Sequence, residues 1–274
     1  EKEPLGNAGA LFRLRQEIEE SGDDSFLLLN ADAIFDVDFN RMVTFHREKK
    51  AEVTLFTHPN AHPYDSGLII VNRNEQVDKW LAKEDKRPRW YQNRVNAGLH
   101  VIANRVIDEY LKLLADDEKM VVSDAGVHSD KTAIVPIGKI DLDRQILKPL
   151  SGTGKMYVYD SPEYIKDMGT PDRYYSVCDD VTSGKVGRLN RRYTRPAIFL
   201  DRDGVISKEV NLLCKPEQVE LIEGVGEAIR YINQTGYLAI VVTNQPVIAR
   251  NLCSLEELDY IHAKLETLLG YERA

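Results

Sequence analysis

Short apolar runs alternate with segments of helical periodicity along most of this chain. The runs lie at residues 26–30, 52–57, 67–71, 99–102 and 156–159. Short runs rich in Leu, Ile, Val and Tyr predict buried β-strands. Because such strands alternate with helices, the pattern is typical of an α/β fold with a largely parallel sheet.

Capping signals mark several of the helices. Residues 11–20 are predicted to be helical, and so are residues 171–182, where Thr170 suits the cap and Pro171 the first helical position. Ser254 and Glu257 form a capping box ahead of a further helix. The apolar residues of that last helix repeat on one face, so we expect it to pack into a core.

Two further apolar runs, late in the chain, finish in polar residues. The run at 197–200 leads to Asp201 and Asp203, and the run at 237–242 leads to Thr243 and Asn244. Open α/β sheets bind their ligands at the carboxyl ends of their strands, so we expect these side chains to meet there. The sequence therefore predicts two strands, with a helix between them, that carry a phosphate-handling site.

The composition and periodicity of the sequence change between two parts of the chain. Residues 183–195 are basic, contain glycine and show no periodicity. Their arginines fit a solvated connector, or a surface that guides anionic substrates. We predict a first domain at 1–184, a linker at 185–195 and a second domain at 196–274.

The amino-acid composition limits the classes of function that the chain can have. Of the 274 residues, 43% are hydrophobic and 29% are charged, as in ordinary globular proteins. The net charge of −8 argues against a nucleic-acid-binding protein, which carries a basic patch. No apolar stretch reaches the roughly 18–20 residues that span a bilayer, and the N-terminus is not a signal peptide. We therefore expect a cytoplasmic enzyme, with no membrane partner and with free thiols at its three cysteines.

The aspartates near the end of the chain suit phosphoryl chemistry. Asp201 can attack phosphorus and form an aspartyl-phosphate, while Asp203 can protonate the leaving oxygen and later activate water. Two carboxylates this close favour a bound Mg²⁺, so both are candidate metal ligands. Thr243 and the amides that follow it can hold phosphate oxygens. A turn or calcium-type motif is the alternative for an isolated Asp-x-Asp-Gly.

The segments at 199–204 and 242–245 resemble the first two motifs of the haloacid dehalogenase phosphatase superfamily. With 215–217 and 248–250, they are most similar to the D-glycero-D-manno-heptose 1,7-bisphosphate phosphatases. Histidinol-phosphate phosphatases share much of the pattern and stay open as an alternative.

That resemblance implies roles for individual residues. It also implies that some motifs of the superfamily lie outside this sequence. It implies Asp201 as nucleophile, Asp203 as acid and base, and Thr243, Asn244 and Arg250 as substrate contacts. The superfamily's later lysine, its acidic pair and the zinc-binding loop of the heptose phosphatases would lie beyond Ala274. We therefore expect an incomplete phosphatase domain whose cofactors are Mg²⁺ and, in that later loop, Zn²⁺.

The first part of the chain carries separate candidate residues. Gly6 and Gly9 lie in a loop of mostly small residues, which lets the backbone approach a base or phosphate closely. Asp32 and Asp167 each follow a predicted strand, and two such carboxylates are the minimum for holding Mg²⁺ against a nucleoside triphosphate. Asn96, next to small residues, suits a sugar hydroxyl. A strand-end aspartate taken alone is more often a turn or a cap.

Taken in order, these segments resemble the sugar-1-phosphate nucleotidyltransferases over residues 1–182. The matching segments are 5–9, 30–32, 96–98, 147–150 and 165–171. The subgroups most similar are the heptose-1-phosphate and mannose-1-phosphate guanylyltransferases. The resemblance implies a Rossmann-like domain, Mg²⁺ on Asp32 and Asp167, sugar on Asn96, and GTP or another nucleoside triphosphate as substrate. The family's opening Gly-rich loop would precede Glu1, so we expect the first βα unit to be missing.

Three hypotheses follow for function. The first is a piece of a bifunctional enzyme of nucleotide-activated heptose synthesis, in which a phosphatase converts a heptose bisphosphate to the 1-phosphate that a nucleotidyltransferase then uses. The second keeps both folds with mannose or glucose 1-phosphate as the sugar. The third is a non-catalytic binding or regulatory protein. A partial sheet exposes a strand edge, so we also expect aggregation or oligomers.

Overall fold

A mixed sheet of six strands forms the centre of the first part of the chain. The computed structural model describes residues 5–60, 66–116, 120–124, 132–136 and 138–270. The strands are β1 (Ser25–Leu29), β2 (Ala33–Asp36), β3 (Val53–His58), β4 (Leu68–Val71), β5 (Val77–Leu81), β6 (Val95–Ala103), β7 (Met120–Asp124), β8 (Thr132–Pro136), β9 (Met156–Asp160), β10 (Tyr164–Asp167), β11 (Ala197–Asp201) and β12 (Leu238–Val242). The central sheet has the order β5-β4-β6-β3-β9, and β1 also pairs with β6.

The helices flank these strands. They are α1 (Gly9–Arg13), α2 (Arg15–Glu20), α3 (Phe39–Lys49), α4 (Asn104–Asp116), α5 (Pro171–Thr182), α6 (Lys185–Arg188), α7 (Val225–Gln234), α8 (Pro246–Ala249) and α9 (Leu255–Leu269). A π-helical stretch at Leu142–Leu147 and short 3₁₀ turns at Lys148–Leu150 and Pro216–Gln218 complete the elements. None of the described helices is long and apolar enough to cross a bilayer.

The prediction of a largely parallel sheet is wrong for this first part. Strand β6 runs antiparallel to β1, β3 and β4, whereas β3 and β9 are parallel. A parallel neighbour needs a crossover connection, usually a helix. Residues 82–94, which lead into β6, contain no helix, so the strand enters the sheet in the opposite direction.

Side-chain alternation buries both faces of the central sheet. On β3, Val53 and Leu55 pack with Phe12 and Leu147 in one apolar cluster, and Phe56 packs in a second cluster on the other face. Successive residues of a strand point to opposite faces, which explains this division. All three of these β3 side chains are fully buried, so β3 fixes the core on which the candidate site residues are built.

The helices with predicted caps begin where the sequence predicts. The first helix differs from its prediction. Thr170 Oγ1 accepts from Arg173 N at the start of α5, and Ser254 and Glu257 form the predicted capping box of α9. The single helix expected at 11–20 is instead two helices. They are separated at Leu14, whose backbone lies outside the helical region (φ −92°, ψ 7°).

Strands β11 and β12 form a parallel pair with α7 between them, as expected from the sequence. Asp201 lies opposite Val242 in the register, so both strands end at the same edge. Below this pair, Ile206, Val247 and Ile261 are central members of a separate apolar cluster. The one-sided apolar pattern of α9 therefore packs into a core, as predicted.

The stretch predicted as a linker packs against the first part of the chain. Asn190 is buried and its Nδ2 donates to Asp36 Oδ1 at 2.5 Å, while Arg191 N donates to Glu163 Oε1 at 2.9 Å. Residues 185–188 form a helical turn rather than an aperiodic connector. Arg188, Arg191 and Arg192 are exposed, as the connector predicts, whereas Asn190 is buried. The domain limits stay a prediction.

Helix α9 also contacts the first part directly. Arg94 lies between Asp160 Oδ2, 2.8 Å from its Nε, and Glu266 Oε2, 2.5 Å from its Nη1. Thr267 Oγ1 donates to Tyr91 O at 2.9 Å. These contacts join the end of the chain to the segment that leads into β6.

A buried histidine makes stability depend on pH. His46 Nδ1 lies 2.9 Å from Thr54 Oγ1, and burial, followed by the charges of Arg105 and Arg47, lowers the pKa of His46 from 6.5 to about 4. Because the unfolded chain binds that proton more readily, stability is complete above pH 6.5 and is lost as the pH falls toward 4. Through this residue, a change from pH 7.5 to pH 5 should remove about 2 kcal/mol of unfolding free energy.

Urea denaturation of the wild type and of His46→Gln at both pH values measures this effect. We expect the glutamine variant to lose less stability on acidification, by that same amount. An equal loss in the two proteins would show that His46 is not the group responsible.

Strands β11 and β12 expose apolar side chains, which predicts self-association. Phe199 is 68% exposed and Val242 is 55% exposed. Within the described residues these two strands pair only with each other, and an open strand edge is a template for another chain. Light scattering of the 274-residue chain should show a mass that rises with concentration, and Phe199→Ser should reduce the rise. A wild-type monomer at every concentration would contradict this expectation.

Candidate active sites

The glycine loop at the start of the chain packs against residues 140–142. Gly6 has φ +84°, and a Cβ there would collide with the backbone of Ile140, so the position requires glycine. Ala8 N donates to Ile140 O at 3.3 Å, and Leu142 N donates to Asn7 Oδ1 at 2.7 Å. The predicted base-binding loop is thus fixed to the segment that follows β8, with Gly9 in the first turn of α1.

The predicted sugar-binding residue lies in a strand. Strand β6 begins at Val95, four residues earlier than the apolar run suggests, because Asn96 pairs with Thr57 of β3. Gly98 has φ +73°, and its carbonyl accepts from Asn30 N at 2.9 Å. This contact places the segment 96–98 beside the loop that carries Asp32.

Asp32 and Asp167, the two candidate Mg²⁺ ligands, are brought together. Strands β2 and β10 pair with Asp167 opposite Ala33, and Met168 N donates to Asp32 O at 2.7 Å. Both aspartates are exposed. Asp167 also accepts from Gly169 N at 2.5 Å and forms an ion pair with Arg173.

Both side chains are carboxylates, the ligand type that Mg²⁺ prefers. That ion is usually bound through one or two carboxylates, with waters and substrate phosphates completing the shell. Among the described residues, no cluster of three or more His, Cys, Asp or Glu side chains suits a metal. The Mg²⁺ role of Asp32 and Asp167 therefore stays a prediction.

Asp143 and His100 are neighbours of Asn96 that the sequence did not single out. Asn96 Nδ2 lies 3.4 Å from Asp143 Oδ2, and His100 Nε2 lies 3.0 Å from Asn96 Oδ1. Burial, and then the charge of Asp141, raises the pKa of Asp143 to about 6, and burial lowers the pKa of His100 to about 4. His100 follows Asn96 by four residues, so the two side chains lie on the same face of the strand. This even spacing is the sequence signal by which His100 could have been predicted.

The second predicted site centres on Asp203. Its Oδ1 accepts from Arg202 Nε at 3.0 Å, and its Oδ2 accepts from Arg202 Nη2 at 2.9 Å and from Gln245 Nε2 at 3.0 Å. Partial burial alone would raise the pKa of Asp203, but the hydrogen bonds from Arg202 and Gln245 outweigh it and hold the pKa below its usual range. Arg202, a buried cation that the sequence did not single out, thus keeps Asp203 ionised.

Thr243 joins this second site, whereas two other predicted residues do not. Thr243 Oγ1 accepts from Gln245 Nε2 at 2.6 Å, which links it to Asp203. Asn244 and Arg250 are exposed, and none of the described contacts joins either of them to the aspartates. Their predicted substrate contacts therefore stay predictions.

The metal role predicted for Asp203 stays a prediction. Besides the donors from Arg202 and Gln245, its Oδ1 lies 3.4 Å from the Ser207 hydroxyl. These donors use part of the acceptor capacity of Asp203, as Gly169 N and Arg173 do for Asp167. Asp201 itself is exposed at the end of β11, with one oxygen 2.7 Å from Arg202 N.

Comparison with known proteins decides the family of the first part. The family described as Nucleotidyl transferase matches residues 1–184 of this chain. The chain belongs to the nucleotidyl transferase family. A mannose-1-phosphate guanyltransferase of Yarrowia lipolytica is 25% identical over 177 residues, which are 64% of this chain and 41% of that protein.

Two further matches cover different shares of this nucleotidyl transferase chain. A D-glycero-D-manno-heptose-1,7-bisphosphate 7-phosphatase of Thermosynechococcus vestitus is 40% identical over 76 residues, 28% of this chain and 39% of that protein. The crystal structure of HddC from Yersinia pseudotuberculosis superposes with a TM-score of 0.45 at 16% identity, covering 66% of this chain and 64% of that one. The chain spans about two fifths of the length of the curated relatives named above.

Proposed function

We propose that this chain is part of an enzyme that transfers a nucleotidyl group from a nucleoside triphosphate to a heptose-type sugar 1-phosphate. One observation carries the proposal. The glycine loop, Asn96, Asp32 and Asp167 are separate in the sequence, and a chain of contacts through neighbouring residues links them in the fold. The loop contacts residues 140–142, Asp143 contacts Asn96, Gly98 contacts Asn30, and Asp32 contacts Met168. A family match over residues 1–184 supports the same reaction class.

The chemistry assigns each segment a task. A phosphate oxygen of the sugar 1-phosphate attacks the α-phosphorus, the bond to the β-phosphate oxygen breaks, and pyrophosphate leaves. The loop at 5–9 holds the base and Asn96 holds the sugar, so that attacking and leaving oxygens are in line. When bound, Mg²⁺ would be held by Asp32 and Asp167 and would neutralise charge on the triphosphate.

A second activity, a phosphatase, is proposed for the part that begins at β11. It is favoured by the cluster of Asp201, Asp203 and Thr243 at the carboxyl edge of two parallel strands, and by the 76-residue match to a heptose bisphosphatase. Asp201 attacks phosphorus and the bond to the sugar oxygen breaks. Water, deprotonated by Asp203, then hydrolyses the aspartyl-phosphate.

The lowered pKa of Asp203 suits one half of that reaction better than the other. An ionised Asp203 accepts a proton from water readily. The earlier step, protonation of the leaving oxygen, needs a proton on Asp203, which Arg202 disfavours at neutral pH. The first step should therefore speed up as the pH falls.

The two activities fit one route, in which removal of a distal phosphate produces the 1-phosphate that the nucleotidyltransferase uses. This logic favours a heptose over histidinol phosphate for the phosphatase, and over mannose or glucose 1-phosphate for the transferase. This route requires neither a nucleic acid nor a membrane as a partner.

Pyrophosphate release tests the transferase. The full-length protein is mixed with Mg²⁺, GTP and heptose, mannose or glucose 1-phosphate in parallel, and the other nucleoside triphosphates are then substituted for GTP. We expect the fastest release with heptose 1-phosphate. Faster release with mannose 1-phosphate would show that mannose 1-phosphate is the substrate. No release with any combination of sugar 1-phosphate and nucleoside triphosphate would favour a non-catalytic binding protein.

A further inference from the structure

A cavity of about 660 Å³ lies between the first part of the chain and the strand pair β11–β12. Strand β10 and the residues just before it line one side, and β12 and the end of α7 line the other. Residues of the predicted linker form a third wall. Pockets of roughly 300–1,000 Å³ are the size that small organic ligands occupy. The cavity therefore has room for an organic molecule as well as for a bare ion.

Cationic side chains outnumber acidic ones around this cavity. Among its described lining residues, the cations are Lys166, Lys185, Arg195 and Arg230, and the acidic residues are Glu163 and Asp180. The chain as a whole has a net charge of −8, so this positive excess is local. A cleft lined by one sign of charge concentrates ligands of the opposite sign. The lining therefore favours an anionic ligand.

Two of the lysines share a single carboxylate. Asp180 Oδ2 accepts from Lys166 Nζ at 2.9 Å, and Asp180 Oδ1 accepts from Lys185 Nζ at 3.1 Å. Among the described residues, Lys185 Nζ donates to no other side chain, and an ammonium group has three N–H donors. This wall therefore keeps one positive charge and N–H donors that a ligand can use.

The Arg195 side chain donates no hydrogen bond to any of the described residues, although it is half-buried. Glu163 attracts it without bonding to it. Glu163 Oε1 accepts from Asp38 N and Arg191 N, and its Oε2 accepts from the Ser161 hydroxyl. Burial lowers the pKa of Arg195, the charge of Glu163 offsets this only in part, and the charge of Arg191 lowers the pKa further. An anion in the cavity would supply the acceptor that this guanidinium needs.

A phosphate group suits these donors. A guanidinium presents parallel N–H groups that match phosphate oxygens, and a lysine adds a point charge. A phosphate monoester carries about −1.5 to −2 charges at pH 7, which matches the excess of two cations over the acidic residues of the lining. The opposite wall offers the aromatic ring of Tyr237 and the amide of Gln234 to the rest of the ligand.

We propose that this cavity binds a small organic phosphate, with its phosphate group on Arg195 and Lys185 and its organic part against Tyr237 and Gln234. A sugar phosphate and a nucleoside monophosphate share this chemistry. None of the described lining residues belongs to either candidate active site, so the inference goes beyond the proposed function and does not depend on it.

Calorimetric titration of the full-length protein at low ionic strength tests the proposal with three probes, which are glucose 6-phosphate, AMP and inorganic phosphate. We expect one of the two organic phosphates to bind more tightly than inorganic phosphate. Arg195→Gln should weaken that binding about ten- to a hundredfold, the usual effect of losing a hydrogen bond to a charged group. Arg192→Gln, which changes an exposed arginine outside the cavity, is the matched control and should bind as the wild type does.

Two further variants keep the test independent of folding. Arg195→Lys keeps the charge without the parallel donors, so it should lose less affinity than Arg195→Gln. Lys185→Gln changes a different wall and should also weaken binding, which decides the matter if Arg195→Gln does not fold. The organic phosphate that binds should raise the melting temperature of the wild type and, at the same concentration, raise that of Arg195→Gln less.

The outcomes separate the parts of the proposal. Tighter binding of glucose 6-phosphate than of AMP would identify a sugar phosphate as the ligand, and the reverse would identify a nucleotide. Inorganic phosphate that binds as tightly as both would overturn the role of Tyr237 and Gln234. Equal binding by the wild type, Arg195→Gln and Lys185→Gln, or no binding of any probe at millimolar concentration, would overturn the proposal.

Discussion

Asparagine in place of Asp32 should lower the rate of pyrophosphate release by about a hundred- to a thousandfold, as the loss of a group that stabilises transition-state charge does. Asp32 lies beside Asp167 through the pairing of β2 with β10, so its loss leaves a single carboxylate at the predicted Mg²⁺ site. The substitution removes charge without changing shape. The measurement is steady-state pyrophosphate release by the full-length protein at saturating Mg²⁺.

Two further variants test whether the loss of rate is specific to the predicted Mg²⁺ site. Asp24→Asn removes an exposed carboxylate from the turn before β1 and should leave the rate unchanged. Asp167→Asn should lower the rate to a similar extent, although it also releases Arg173. A rate in Asp32→Asn within about twofold of the wild type would show that Asp32 holds no metal during transfer.

Asparagine in place of Asp201 should abolish phosphate release from heptose 1,7-bisphosphate, with a loss of at least about a thousandfold. An amide cannot form the aspartyl-phosphate, and Asp201 is the exposed carboxylate at the carboxyl end of β11. Release of inorganic phosphate by the full-length protein measures this effect.

The controls for Asp201 separate chemistry from folding and from substrate choice. Asp179→Asn, on the exposed side of α5, should keep the wild-type rate. Histidinol phosphate runs alongside, and faster release from it than from the heptose substrate would reassign the phosphatase. If Asp201→Asn keeps its activity, the nucleophile lies elsewhere.

Local signals in the sequence located most of the elements. Helix α5 begins at Pro171 and ends at Thr182, as its cap and its proline predict, and the box at Ser254 and Glu257 opens α9. These signals depend on neighbours within a few residues, so a single sequence contains them. The aspartates at strand ends were likewise visible, because a polar residue after an apolar run is itself a local pattern.

Features that depend on pairing could not be predicted in the same way. Asn96 resembles a loop residue in the sequence, yet it lies within β6 because β3 pairs with it. Asp143 resembles a helix-start residue, and only the fold brings it to Asn96 across the sheet. Arg202 lies within the matched segment 199–204, but its contacts with Asp203 and Gln245 depend on burial that only the fold shows.

The most direct test of the whole account supplies the full-length protein with heptose 1,7-bisphosphate, GTP and Mg²⁺ and follows the nucleotide-linked heptose by mass spectrometry. The account predicts that the wild type forms this product and releases inorganic phosphate. Asp201→Asn should form the product from heptose 1-phosphate and not from the bisphosphate. A wild type that makes no nucleotide-linked heptose from either substrate, with any nucleoside triphosphate, would contradict the proposed function.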